Sequence, residues 1–577
     1  MRRWTRMASV GLVVFLLAAV FAGCSQPEPA KNNAPAADAA ANTGTADAGS
    51  ETDAAAPDAK EPPVELTVLN AAGGSPTFGT GDPVYDDNPI AKYLLDNLNI
   101  KLKWEVISGD GAQAMGLKLA SGDYPDIITN LQPETYQKML DDNRLVDMAP
   151  LIEANGPNIQ KAYGEKTLNF LKTDDNHLYS LTQQYGNIPE GSTPAGYGFG
   201  FQIRKDIYEA IGSPKIETTD DIYAVLKKIK DDPKVNKTGS GESVWPIGTF
   251  KRSWNNFLQG LEAMGGSGTA KWTVKDGKVQ YWFREPWAET AMQFYNKLYR
   301  EGLLDPDSFV VEPDAWQKEK VNTGRIATTI GAWNMVADAW GEFKAANVPN
   351  AENMYFLNFA VSIPGGETPQ LVNISSVGNG YTVITDKTED KEAAIKLLDF
   401  LASPEGNFMA HNGPEGTQWE MKDGVPTLKP EYLERWKNGE GDDSFAKETG
   451  IGLYRHFVGT DVPKSPAGTY MVLKDDPKVT GRVDFAQRDE ALGKYYFDSA
   501  PFVGIETGLP QDITMMYSTI DSKLGDAVYK PVLANSAEAS HEEWLKFIKA
   551  MDDAGAAKVE AAVTENYQKN LVKLGLK

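Results

Sequence analysis

Leu119-Ala120-Ser121-Gly122-Asp123-Tyr124-Pro125-Asp126-Ile127-Ile128 is the stretch on which the fold turns. Leu117-Lys118-Leu119-Ala120-Ser121 reads as the end of a helix. Gly122 suits its C-terminal cap, because glycine enters the left-handed region without strain. A turn then leads into Ile127-Ile128, a buried strand. Working upstream, residues 64–69 alternate as a strand. Residues 88–98 place Ile90, Leu94, Leu95 and Leu98 on one side of a helix, and residues 100–106 alternate again. Strand, helix, strand in this span predicts a βαβ unit and a parallel sheet, so the fold class is α/β.

Downstream the same alternation continues. Thr218 with Asp221 three residues later reads as a capping box, followed by the stripe Ile222, Val225, Leu226, Ile229 of a core-facing helix. Tyr281-Trp282-Phe283 reads as a strand before Glu285-Pro286, with Trp287 opening a helix; both stretches look like core. Residues 325–330 read as a strand ending at Gly331, after which Trp333 opens a helix. Residues 391–401 form a helix with Ala394, Leu397, Leu398 and Leu401 on one face; Ser403-Pro404 stops it and caps the next. A tail helix is expected from Ser540, with Glu543 at the third position.

Several of these stretches resemble extracellular solute-binding proteins of bacterial ABC importers, carbohydrate type, in their long LipO-like members. Residues 119–128 resemble the family's LASGDxPDI signature. Asp175-Asn176-His177-Leu178-Tyr179-Ser180-Leu181 is similar to its DGKxYxLP hairpin, with His for Lys and Thr182 for Pro. Residues 203–221 resemble xRKDxLxKLGxKxPxTxDE. Gly324-Arg325-Ile326-Ala327-Thr328-Thr329-Ile330-Gly331-Ala332-Trp333-Asn334 resembles GKxAMxxGxWN. Residues 377–385 resemble the returning hinge strand, and His411-Asn412-Gly413-Pro414-Glu415-Gly416 resembles YGxEG. The order and spacing of these motifs hold from about residue 64 to 410.

The resemblance implies a two-lobed periplasmic-binding-protein-like fold of type II, with a ligand cleft and a hinge. Lobe 1 is expected over 64–185 plus 378–490, and lobe 2 over 198–372 plus 491–577. In relatives the tryptophan after the 325–330 strand stacks on sugar, which makes Trp333 the first ligand candidate. Asn334, Gln184, Tyr185, Trp254 and Glu415 accompany it, Trp254 standing equally well as core. Aromatic faces would hold sugar rings, and amide and acid side chains would fix the hydroxyls. The long members carry a calcium loop where this chain has Asp232-Pro233-Lys234-Val235-Asn236-Lys237-Thr238-Gly239-Ser240-Gly241-Glu242. Calcium needs several oxygen ligands at alternating positions, and Lys234 stands where one belongs. A plain loop over 232–242, without calcium or another cofactor, is expected.

The amino terminus carries a separate message. Arg2, Arg3 and Arg6 precede an apolar run from Ala8 to Ala22, and the small residues Ala22-Gly23 lead to Cys24, the only cysteine. This pattern is an export signal over 1–23, too short for a span of roughly 20 apolar residues. From Cys24 to residue 63 the chain is almost wholly Ala, Asp, Thr, Pro, Asn, Gly and Glu, which reads as a disordered tether. A cysteine so placed resembles the lipobox of bacterial lipoproteins, with Phe21 where Leu is usual. It implies lipidation of Cys24 and work on the extracytoplasmic face of the membrane.

Composition narrows the partners. With 80 acidic and 57 basic residues the net charge is −23, and loss of residues 1–23 would take it to −26. Nucleic acid is an unsuitable partner for such a chain. One cysteine excludes a disulfide framework and thiolate metal sites. His177, His411, His456 and His541 form no metal spacing, and there is no nucleophile elbow or phosphate loop. A glycosidase needs only two carboxylates, so that alternative stays open, as does a surface sugar sensor or adhesion module without transport. The expected function is an anchored, monomeric receptor for a carbohydrate that serves an ABC permease.

Overall fold

The turn at Gly122 forms as its sequence dictates. Its φ is +73°, and the N–H groups of Gly122 and Asp123 donate to Leu119 O and Lys118 O. Asp126 then ties the stretch into a sheet, accepting from Thr67 N at 2.7 Å and Thr67 Oγ1 at 2.6 Å. On its other side, Thr385 Oγ1 donates to Pro125 O at 2.7 Å and Thr388 Oγ1 to Asp126 O at 2.9 Å. Tyr124 OH donates to Asp386 Oδ1 at 2.7 Å. Ten residues therefore join strands separated by more than three hundred positions.

The computed structural model describes residues 61–71, 87–105, 107, 111–183, 200–251, 260, 262–266, 269, 271–332, 335–336, 339–372, 375–437, 445, 448–451, 453–454, 456–458 and 485–577. The expected signal peptide, Cys24 and the tether as far as Lys60 lie outside them. In chain order the strands are β1 (Val64–Asn70), β2 (Ile100–Glu105), β3 (Ile127–Leu131), β4 (Leu181–Gln183), β5 (Gly200–Arg204), β6 (Trp245–Ile247), β7 (Trp272–Lys275), β8 (Lys278–Tyr281), β9 (Ile326–Gly331), β10 (Phe356–Phe359), β11 (Leu371–Val372), β12 (Asn379–Ile384), β13 (Trp419–Lys422), β14 (Val425–Leu428) and β15 (Tyr496–Phe497).

Two principal sheets define two lobes. The first runs β2-β1-β3-β12-β4, with β1 parallel to β2 and β3, and β12 antiparallel to β3 and β4. Its side chains alternate between two cores. Leu66, Val68, Ile127 and Ile384 join the helix Lys391–Ala402 on one face, and Leu69, Ile128 and Val383 join Met115, Leu119 and Met139 on the other. A sheet covered on both faces is the arrangement that parallel strands require. The connecting helix Pro89–Leu98 is capped by Asn88, whose side chain accepts from Ile90 N and Ala91 N, and it ends at left-handed Asn99.

The second sheet runs β10-β5-β9-β6, with β5 antiparallel to β10 and β9. Its main core contains Phe201, Ile203, Trp282, Trp287 and Tyr295. Ile520, Leu524, Trp544, Phe547 and Val563 from the carboxyl-terminal helices close it. The Trp282 and Trp287 stretches are thus core, as expected, although β8 gives way at Trp282 to a 3₁₀ turn. The capping box at Thr218 and Asp221 forms, and Ser403 caps Pro404–Asn412. The tail helix does not start at Ser540. It spans Ala537–Asp553, because Ser536 reaches Ala539 N and caps it earlier; Ser540 is buried inside it. The helix Phe485–Leu492 lies against the second sheet, where Gln487 Nε2 donates to Asn358 O at 2.8 Å.

Candidate functional site

The strands deliver their ends to the junction of the lobes. The chain leaves the first sheet at Gln183 and enters the second at Gly200. It returns between Val372 and Asn379. At the carboxyl ends of β1 and β3, Asn130 Nδ2 donates to Asn70 Oδ1 at 2.8 Å. Asn130 adopts φ +55°, a conformation asparagine tolerates better than most residues. Buried Gln183 places Oε1 2.9 Å from His456 Nδ1. Thr182 Oγ1 donates to Val377 O at 2.7 Å, closing the crossing from below.

On the second lobe the matching end is set by Gln202. This fully buried amide donates from Nε2 to Gly331 O at 3.0 Å and Ala332 O at 3.1 Å. It fixes the backbone immediately before Trp333. A further contact comes from Glu506, half-buried, which accepts the Trp272 Nε1–H at 2.6 Å. Burial raises the Glu506 carboxyl above its ordinary range, and the negative Glu134 of the first lobe adds to the rise; the Trp272 hydrogen bond and Lys271 oppose it. Tyr381 stacks on Tyr136 with centroids 4.4 Å apart. Its hydroxyl is held neutral first by burial, then by Tyr136, Glu506 and Glu134.

Of the residues expected to touch ligand, Trp333, Asn334, Gln184, Tyr185 and Trp254 lie outside the described residues. Of their described chain neighbours, Gln183 ends β4 of the first sheet and Ala332 follows the end of β9 of the second. Glu415 is exposed, and its Oε1 accepts the N–H of Met421 at 3.1 Å, so it braces its own hairpin. Sequence reading missed Gln202, Gln183, Asn70 and Asn130. Their only signal was position, a polar side chain inside or at the end of an apolar strand.

The donor set at 232–242 does not fit calcium. Asp232 Oδ1 accepts Lys234 N, Asn236 Nδ2 donates to Lys230 O, and Lys237 Nζ donates to Ser243 Oγ. Thr238 and Ser240 share a hydrogen bond. The side-chain oxygens of Asp232, Thr238 and Ser240 thus accept from or pair with groups of the loop itself, Lys234 and Lys237 are exposed, and no group of three acidic or histidine side chains suited to a metal occurs among the described residues. No described helix is long and apolar enough to cross a membrane.

Two α/β lobes between which the chain crosses, each with buried polar side chains at its strand ends, are the architecture in which open α/β folds hold ligands at a crevice. A profile of the bacterial extracellular solute-binding proteins matches residues 85–408, more than half of the chain, and the chain belongs to that family. It is 26% identical over 234 residues to lipoprotein LipO of Bacillus subtilis, covering 39% of this chain and 45% of that protein. It is 25% identical over 241 residues to the fructooligosaccharide ABC transporter substrate-binding protein FusA of Streptococcus pneumoniae, covering 39% and 44%. The matches therefore span under half the length of these relatives. Among solved structures, FusA of S. pneumoniae as an EF-hand mutant with fructo-nystose superposes with a TM-score of 0.66 at 18% identity, over 88% of this chain and 99% of that one. An HMO-binding, ABC-transporter-associated solute-binding protein of Bifidobacterium longum infantis gives 0.65 at 17%, over 88% and 98%. These likenesses carry the fold.

Proposed function

We propose that this protein is a lipid-anchored, extracytoplasmic receptor that captures an oligosaccharide between its lobes and delivers it to an ABC permease. The observation that carries the reading is the pairing of sheet ends. Gln202 fixes the chain entering Trp333-Asn334, and Gln183 with His456 fixes the chain entering Gln184-Tyr185. On this reading Trp333-Asn334 and Gln184-Tyr185, which follow these two fixed points in the chain, would supply aromatic faces for sugar rings and amides for their hydroxyls. The saccharide-binding relatives support the ligand class. The lobes would be 64–185 plus 378–490 and 198–372 plus 491–577, except that the helix Phe485–Leu492, packed on the second sheet, goes with lobe 2; the protein would work as a monomer without catalysis. Cys24, acylated after removal of residues 1–23, would hold it to the membrane through the tether.

A thermal-shift screen of neutral and acidic oligosaccharides against the full-length protein tests the ligand class. A stabilising saccharide recovered intact after incubation supports a receptor. Cleavage lost on changing one cleft carboxylate would replace it with a glycosidase. Cys24→Ser is expected to abolish incorporation of a fatty-acid label and release the protein from membranes; equal labelling of mutant and wild type would remove the anchor.

A further inference from the structure

A second concave site lies on the other end of the second lobe. β6 pairs with β9 at Trp245 and Ile326, whereas Gly331 pairs with Gly200 where the chain arrives from the first lobe. Trp245 is thus about five strand residues, roughly 17 Å, from the cleft end of the sheet. Beside it opens a depression of about 410 Å³, with Trp245, Tyr299, Arg300 and Asn535 around Leu304 and Pro306. Its size falls in the range of small-molecule sites, roughly 300–1,000 Å³.

Arg300 is held in place. It ends the helix Pro286–Arg300, and its Nε donates to Asn296 Oδ1 at 2.8 Å. Asn296 is fully buried, and its Nδ2 donates to Val532 O at 3.1 Å and Ala534 O at 2.7 Å. One buried amide thus fixes both the guanidinium and the wall that carries Asn535. Five other arginines each have a carboxylate within ion-pair distance: Arg144, Arg204, Arg284, Arg435 and Arg488. Arg300 has none among the described residues. Glu538 reaches it only through its field, and the neighbouring Glu301 carboxylate accepts from Tyr223 OH at 2.8 Å. Arg300 is exposed, and its two Nη groups make no hydrogen bond to the protein among the described residues, in a chain where acids outnumber bases 80 to 57. The Trp245 indole N–H, the Tyr299 hydroxyl and the Asn535 amide likewise make no side-chain hydrogen bond to the protein among the described residues, and the two aromatic side chains are half-buried.

We propose that this depression is an accessory binding site for a carboxylate-bearing sugar unit, a uronate. The guanidinium fork matches a carboxylate in two parallel hydrogen bonds, which a lysine cannot reproduce. Trp245 and Tyr299 supply apolar faces for the ring C–H groups, and Asn535 and the tyrosine hydroxyl supply partners for ring hydroxyls. The site is separate from the cleft, so its occupancy does not depend on which ligand the cleft takes.

The test is calorimetric titration of the full-length protein with sodium glucuronate, glucose and sodium acetate. Wild type, Arg300→Gln, Arg300→Lys and Trp245→Ala are compared, each with a melting curve. Saturable glucuronate binding is expected, weakened at least tenfold by Arg300→Gln and by Trp245→Ala, with Arg300→Lys also weakened although the charge is kept. Glucose and acetate should each bind at least tenfold more weakly than glucuronate. If Arg300→Gln does not fold, Arg300→Lys carries the comparison. Absence of glucuronate binding, unchanged binding in the arginine variants, or acetate equalling glucuronate would overturn the proposal. A saccharide that binds the cleft should bind Arg300→Gln and wild type alike, which keeps the two sites apart.

Discussion

Replacing Gly380 by alanine strikes the hinge where β12 begins. Gly380 has φ +64°, and a Cβ built there would lie 2.4 Å from Gln183 Nε2 and 3.1 Å from Gln183 Cγ. The left-handed backbone costs an L-residue about 1–2 kcal/mol. Relief of the clash requires Gln183 to move, in a site where that residue is 2% exposed. Forcing an extra methyl into a closed site costs about 1–3 kcal/mol, part of it the hydrogen bond that His456 Nδ1 donates to Gln183 Oε1. The sum predicts a loss of about 2–5 kcal/mol for Gly380→Ala in a urea melt of the full-length protein. In a Gln183→Ala background the clash is gone, and only the backbone cost of about 1–2 kcal/mol should remain. A loss below about 1 kcal/mol in the wild-type background, or an equal loss in both, would refute the reasoning.

Trp333→Ala should weaken saccharide binding by about tenfold to seventyfold, from roughly 1.5–2.5 kcal/mol of apolar burial. A denaturant melt of the same variant should change little, whereas unchanged affinity with a stability loss of about 3–5 kcal/mol would make Trp333 a core residue. Chelator should leave the melting temperature unmoved, since a cation bound at a hundredfold excess over Kd would have added about 2.7 kcal/mol; a drop restored by calcium would show that the 232–242 loop binds it. His177 lies 2.7 Å from Asp147, whose hydrogen bond raises the imidazole pKa above its ordinary 6.5. That contribution is complete below the unfolded value and is lost as pH rises through the folded one, so His177→Asn should flatten the fall in stability as pH rises above the ordinary imidazole value. An unaltered slope would mean that the pair is idle.

Local signals were legible wherever short-range chemistry decides the outcome. The turn at Gly122, the Thr218 capping box and the stripe Ile222, Val225, Leu226 and Ile229 stand as read. The Ser540 start failed because Ser536 and Ser540 are both competent caps; Ser536 takes Ala539 N–H, and Ser540 is buried within the helix. The cleft was less legible for a different reason. Gln202 reads as one polar residue in Phe201-Gln202-Ile203, and nothing local reveals that its partners are Gly331 and Ala332, 129 and 130 positions away. His456 and Gln183 are 273 residues apart, and no spacing rule links them. Glu415 was suggested by a motif; in the structure its carboxylate accepts the Met421 N–H of the hairpin that follows it.

The carboxyl-terminal helices carry a consequence for the order of synthesis. The second core needs Ile520, Trp544 and Val563 to cover Trp282 and Tyr295, and Leu574 shares a cluster with Phe170, Val377 and Ala500. Lys573 Nζ donates to Lys172 O at 3.0 Å, across 401 residues. Domains generally fold as units once their chain has emerged, and here the second unit is incomplete until the final helix, Ala556–Lys573, has left the ribosome. The first sheet must likewise wait for β12 to fill the place between β3 and β4. A growing chain therefore lacks a finished second core until the helix Ala556–Lys573 has been made, and until then Trp282 and Tyr295 are left partly uncovered for chaperones to bind.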